Sequence, residues 1–180
     1  MTVISPACYV LNTDQDKSYR LGEKTIMLCY GEGGDANQFA EYIAKNLQLY
    51  KMRNGYEVGP QPAGHYTRKT LADGLRTRDA YLVFLLIGGY DDAEKKPVLY
   101  GMDYLGNQFE NPYLSQGFGG RFCWSILDRI YRPDWNEQQA IDGFKQCMNE
   151  VKKRFALNLP NFQLQIIDEN GVRNLGIVTA

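Results

Sequence analysis

Helical periodicity comes twice along this chain as two consecutive stretches, with β-prone runs before, between and after them. Ala7 to Leu11 and Tyr19 to Leu21 are short β-prone runs, and Thr25 to Tyr30 (TIMLCY) is apolar on both faces, as in a fully buried strand. Phe39, Tyr42, Ile43, Leu47 and Tyr50 then fall at the spacings of one helical face, and the helix should stop near Asn54-Gly55, where glycine tolerates a left-handed end. After a loop punctuated by Gly59, Pro60 and Pro62, a second helix is expected from Gly64 to Arg78. The plainest strand is Ala80 to Asp91 (AYLVFLLIGGYD). Its charged loop, Asp91 to Lys96, returns it as Pro97 to Gly106, a hairpin by spacing and composition. Asn107 to Gln116 has room for a short irregular strand, and GFGG at Gly117 to Gly120 reads as a break. A third helix, Arg121 to Tyr131, is stopped by Pro133. A fourth, Asn136 to Phe155, buries Ala140, Ile141, Phe144, Cys147, Met148, Val151 and Phe155. Phe162 to Asp168 alternates like a half-buried strand, and a turn at Glu169-Asn170-Gly171 leads to a last one at Val172 to Leu175.

Helices in consecutive pairs, not alternating one by one with strands, argue against a doubly wound parallel sheet. They predict an α+β fold of antiparallel sheets flanked by helix pairs. The 180 residues show no repeat, low-complexity tract or linker, so one domain is expected over residues 1–180.

A formal net charge of -1 supplies no field to draw nucleic acid or an anionic membrane. The longest apolar run, Tyr81 to Ile87, is too short to span a bilayer, and Met1 to Val10 does not read as a secretory signal. No nucleic-acid or membrane partner is therefore expected. Cys8, Cys29, Cys123 and Cys147 have no metal-ligand spacing, and His65 is the only histidine, so no metal or other cofactor is implied. Cys29, in an apolar strand-like run, and Cys147, on a helical apolar face, read as reduced core residues of a cytoplasmic or nuclear protein. Thirteen tyrosines and eight phenylalanines exceed what a plain domain needs and hint at protein partners.

The strand–GEGGD–helix layout invites a phosphate-binding reading. A P-loop needs a lysine and a hydroxyl after its glycines, and neither stands here. Glu32 and Asp35 would repel a phosphate from the helix N-terminus. The expectation is a structural turn: Gly31, Gly33 and Gly34 reverse the chain, and Asp35 caps the helix in a capping box with Gln38. With one imidazole and no G-x-S-x-G elbow, no serine-hydrolase arrangement is present either.

Three long stretches resemble the beta subunits of the eukaryotic proteasome core particle: GDANQFAEYIAKNLQLYKMRNGYE (Gly34 to Glu57), TRKTLADGLRTRDAY (Thr67 to Tyr81) and KKRFALNLPNFQLQIIDENGVRNL (Lys152 to Leu175). LYKMRNGYE and LNLPNF are specific to one non-catalytic subunit type. The likeness runs from about Asp14 to Leu175. It implies the N-terminal nucleophile hydrolase fold, a four-layer αββα sandwich of two antiparallel sheets flanked by helix pairs, with the N-terminal strand region shortened. Active relatives use an N-terminal threonine whose own amine serves as base, supported by a lysine and an aspartate. Lys17 matches the lysine as a remnant, while Phe155-Ala156-Leu157 and Asn158-Leu159-Pro160 replace the aspartate and Ser-Gly-Gly of active subunits. The resemblance therefore implies no peptidase activity. It implies a structural subunit in cytoplasm and nucleus, partnered by other beta subunits in its own ring and across to the second, and by alpha-ring subunits. Tyr50, Tyr56, Tyr131 and Trp135 are candidate interface anchors, the alternative being that several fill the core. The competing reading is a self-contained threonine hydrolase using Thr2.

Overall fold

The computed structural model describes residues 3–4, 10–12, 15–157, 159 and 161–179. Their elements run β1 (Val3–Ile4), β2 (Val10–Asn12), β3 (Ser18–Gly22), β4 (Thr25–Gly31), α1 (Gly33–Asn54), α2 (Pro60–Gly74), β5 (Val83–Asp91), β6 (Lys96–Met102), β7 (Gln108–Glu110), α3 (Gly117–Ile130), α4 (Glu137–Arg154), β8 (Asn161–Asp168) and β9 (Gly171–Thr179). One compact unit spans Lys17–Pro112 with Ile166–Arg173, and a second holds β1, β2, α3 and α4.

In the first unit the sheet order is β3-β4-β5-β6-β7, antiparallel throughout. Met27 pairs with Ile87, Cys29 with Leu85, and Leu85 with Met102. Because side chains alternate along a strand, this register gathers Met27, Cys29, Val83, Leu85, Ile87, Val98, Tyr100 and Met102 on one buried face. Phe39, Ala40, Ile43 and Leu47 of α1 and Ala63 and Leu71 of α2 complete that core. Each large aliphatic or aromatic side chain so buried contributes about 1.5–3 kcal/mol. Thr67, fully buried among them, donates its hydroxyl to the Ala63 carbonyl at 2.8 Å, so its polar atom is satisfied. On the opposite face Tyr30 and Phe84, directly paired across strands, stack at 5.2 Å, and Tyr104 meets Phe84 edge-on.

The GEGGD junction differs from expectation in an informative way. Gly33 and Gly34 are already helical, so the N-cap is Glu32, which makes no side-chain cap hydrogen bond. Asp35 is therefore not the cap, and the box with Gln38 does not form. The Asp35 carboxylate instead accepts the Leu82 N–H at 3.0 Å, while the Leu82 carbonyl accepts the Glu32 N–H at 3.0 Å. Both polar groups of the Leu82 peptide are thus held by the start of α1. Only Gly31 needs to be glycine for space: a Cβ there would overlap the Leu82 carbonyl oxygen, whereas Gly33 and Gly34 face open space. A full capping box does occur, at α4. There the Asn136 carboxamide accepts the Gln139 N–H, and the Gln139 side chain accepts the Asn136 N–H, both at 2.9 Å.

Helix α2 begins and ends four residues before its expected bounds. Pro60 stands at its first position, where a missing N–H costs nothing, so prolines read as loop punctuation in fact open the helix. At the far end Thr77 donates both its N–H and its hydroxyl to the Gly74 carbonyl, closing a turn that ends the helix early. Likewise α3 takes in GFGG instead of being broken by it. A Cβ at Gly120 would approach the Ser115 backbone to 2.9 Å, so glycine serves close packing there. In the second unit α3 and α4 pack antiparallel, with Gly143 against the Trp135 ring and Ile130. Cys147, Met148 and Val151 are buried as expected; Ile141, Phe144 and Phe155 are half-buried, and Ala140, near the start of α4, is exposed.

The C-terminal end of α1 is tied back to the β3–β4 turn by Glu57. Its carboxylate takes the Lys51 ammonium at 2.6 Å and the Glu23 N–H at 2.8 Å, and Lys51 also reaches the Glu23 carboxylate at 3.2 Å. Burial alone would raise the Glu57 carboxyl, but the Lys51 and Glu23 N–H bonds outweigh it and hold its pKa below the usual value.

Two outcomes follow. In urea denaturation, Gly31→Ala should destabilise by about 1–3 kcal/mol through overpacking, and Gly34→Ala should be neutral or stabilise by up to about 1 kcal/mol. Equal effects at the two positions would contradict the assignment. A carboxyl with a depressed folded pKa gives stability that is present above its unfolded value of about 4.3 and lost as pH falls through the folded one. Glu57→Gln should therefore be less stable than the wild type at pH 7, with the gap closing toward pH 3. A gap independent of pH would contradict the clamp.

Candidate functional site

Lys17 precedes β3, where its carbonyl accepts the Cys29 N–H at 3.0 Å. Its ammonium is half-buried, and that burial lowers its pKa from the ordinary lysine value. Such a shift favours the neutral amine, as proton-transfer chemistry at a lysine requires, but it also accompanies plain structural burial. Thr2 lies outside the described residues. At the other end of the expected machinery, Phe155 is the C-cap of α4, with its ring 6.4 Å from that of Phe122. Ala156 and Leu157 follow it, so this stretch has no side chain able to bond a nucleophile or a developing charge. Asn158 and Pro160 lie outside the described residues.

Two of the clefts formed by the described residues are lined without Lys17. One, of about 410 Å³, is lined by Gln61, His65, Arg68, Tyr100, Gln108 and Glu110, which puts the sole histidine on an open wall of α2. The other lies between α3 and α4 and is lined mainly by Arg121, Arg129, Glu150 and Arg154. Neither places a nucleophile beside a base. Within GEGGD, the Leu82 carbonyl takes the Glu32 N–H, and the Asp35 carboxylate is engaged by the Leu82 N–H. Gly31 makes the close approach, and Gly33 and Gly34 only begin the helix.

The four aromatic candidates separate into two kinds. Tyr131 and Trp135 belong to a ladder inside the second unit. Tyr131 lies 5.0 Å from Tyr113 and 5.7 Å from Trp135, and Trp135 in turn packs on Gly143. Tyr113 donates to the Asp128 carboxylate at 2.6 Å, and that bond raises its phenol pKa. Trp124 donates its indole N–H to the Ser115 carbonyl. These rings pack α3 against its flanking loops.

Tyr50 and Tyr56 are different: they are 39% and 59% exposed, meet edge-on at 5.6 Å and share a 2.6 Å hydroxyl bond that raises the Tyr50 pKa. Around them α1 also exposes Tyr42, Leu49 and Met52, the last at 73%. Tyr42 and Tyr50 are thus not core residues as the helical spacing suggested; Phe39, Ile43 and Leu47 are. The sequence did hold the signal for this surface. Tyr42, Leu49 and Met52 recur near helical spacing, on a stripe turned away from the buried one. Elsewhere Phe118 of α3 and Ile177 of β9 are 65% and 70% exposed. Apolar side chains this open on several elements are the chemistry of contact with other proteins and not of a small-molecule pocket.

Comparison with known proteins agrees with that chemistry. The family model for proteasome subunits matches residues 4–167. The chain is 48% identical over 165 residues to proteasome subunit beta type-2 of Caenorhabditis elegans, covering 91% of this chain and 83% of that protein. It is 42% identical to proteasome subunit beta type-4 of Saccharomyces cerevisiae, covering 92% and 84%, and 36% identical to proteasome subunit beta type-2 of Oryza sativa subsp. japonica, covering 91% and 76%. With four helices in consecutive pairs and antiparallel sheets, and with beta-type relatives along nearly its whole length, the chain belongs to the proteasome subunit family and has its α+β N-terminal nucleophile hydrolase fold.

Proposed function

We propose that this chain is a non-catalytic structural beta subunit of the proteasome core particle, closest in kind to beta type-2, acting over residues 1–180 as one domain. The observation that carries the reading is the stretch Phe155-Ala156-Leu157 at the end of α4. Apolar side chains stand where active subunits of the family place their aspartate, and Phe155 is engaged with Phe122. A threonine nucleophile without that aspartate loses one of the groups that support it. Lys17 then stays as a half-buried remnant.

In this role the work is surface complementarity. Tyr50, Tyr56, Leu49 and Met52 make α1 a docking face, with α1 and α2 turned to the alpha ring and α3 and α4 to the opposite beta ring. Assembly into this particle gives the chain its part in ubiquitin-dependent protein degradation, in cytoplasm and nucleus. Cys29, used as an apolar core side chain, suits such a reducing compartment. The competing reading, hydrolysis by Thr2 alone, makes an opposite prediction. The purified chain should not turn over fluorogenic peptides, and particles carrying Thr2→Ala should cleave acidic, basic and apolar peptide reporters at unchanged rates. Turnover by the isolated chain that Thr2→Ala abolishes would overturn the structural role.

A further inference from the structure

Cys123 of α3 and Cys147 of α4 sit on facing stripes of the same helix pair. Their register is set by a neighbouring rung: a Cβ at Gly119 would meet Val151 Cγ1 at 3.5 Å. Gly119 is one turn before Cys123, and Val151 one turn after Cys147. In an antiparallel pair, moving one turn along α3 and one turn back along α4 brings the two cysteines opposite each other. The thiols are within hydrogen-bonding reach of one another. Cys147 is 4% exposed, and Cys123 is half-buried.

A buried cysteine is usually a small apolar core residue, and Cys29 is one. Its thiol donates to the Ala36 carbonyl at 3.4 Å, and burial pushes its pKa up to about 12. The Cys123 thiol also reaches a backbone carbonyl, that of Gly119 one turn back, at 3.5 Å, but it has two further neighbours. The Cys147 S–H and the Ser115 hydroxyl both stabilise its thiolate against the cost of burial and lower its pKa to about 7, while Cys147 is driven the other way. One thiolate facing one thiol is the arrangement that lets a sulfenic acid be resolved as a disulfide.

We propose that Cys123 and Cys147 are an oxidative modification site, at which hydrogen peroxide joins α3 to α4 through an intrachain disulfide. The Cys123 thiolate attacks one peroxide oxygen, the O–O bond breaks, and hydroxide leaves, giving the sulfenic acid. The Cys147 sulfur then attacks the Cys123 sulfur and the S–O bond breaks. The departing hydroxide takes the Cys147 proton as water. Two thiols are oxidised by two electrons in total, and one peroxide is reduced to two waters.

The test exposes the folded full-length chain to hydrogen peroxide at pH 7.5, followed by acid quench, alkylation, digestion and peptide mass mapping. The expected result is joint loss of alkylation at Cys123 and Cys147, a linked peptide pair lighter by two hydrogens and reversed by dithiothreitol, and Cys29 still fully alkylated. In Cys147→Ala, checked for folding by circular dichroism, Cys123 should instead be captured by dimedone as a sulfenic acid, with the linked pair lost. Retention of both thiols in the wild type, oxidation of Cys123 with Cys147 still free, or pairing of Cys123 with Cys8 or Cys29 would each overturn the proposal.

Discussion

Strand β5 is the constraint on which the first unit rests. It pairs from Val83 to Gly89 with β4 on one side and from Leu85 to Asp91 with β6 on the other, and its inward residues Val83, Leu85 and Ile87 are wholly buried. Slipping that register by one residue would turn all three away from α1 and α2 and bring Phe84 and Leu86 under the helices. The Leu82 peptide, at the start of the same strand, fixes the helix side of the arrangement. It hydrogen-bonds Glu32 and Asp35 at the head of α1, and its carbonyl is the reason Gly31 cannot carry a side chain. One strand thus sets both the packed face and the entry point of the helix that covers it.

Much of this was legible before any coordinates. Strand β5 was plain because it is long, apolar and bounded by charge, and paired helical periodicity pointed to antiparallel sheets. Boundaries failed where one residue type has two uses. Pro60 and Pro62 look like loop residues but can open a helix, and the glycines of GFGG look like a break but allow a helix to pass close to Ser115. Asp35 was assigned as a cap on local spacing alone, and its real partner, Leu82, lies far along the chain. Tertiary contacts of that kind leave no local trace. The helical face of α1 was mistaken in part because tyrosine is at home both in a core and on a surface.

The site divides in the same way. Phe155-Ala156-Leu157 could be read directly as residues without polar chemistry, since the absence of a functional group is a property of sequence. The sorting of the aromatic candidates could not, because Tyr131 and Trp135 are consumed by a ladder through Tyr113 and by Gly143. The surplus of aromatics noted in the composition therefore has at least two destinations: an internal ladder around α3, and the exposed pair Tyr50 and Tyr56. In the structural role proposed, exposed rings of this kind would serve as contact area.

The central claim is that the chain acts as a built-in piece of a larger particle. Native mass spectrometry of complexes recovered through an affinity tag on this chain tests it most directly. The account predicts that the chain is recovered within a multi-ring assembly together with other proteasome alpha and beta subunits. Recovery as a lone monomer of 20.6 kDa under cell-like ionic conditions would contradict it.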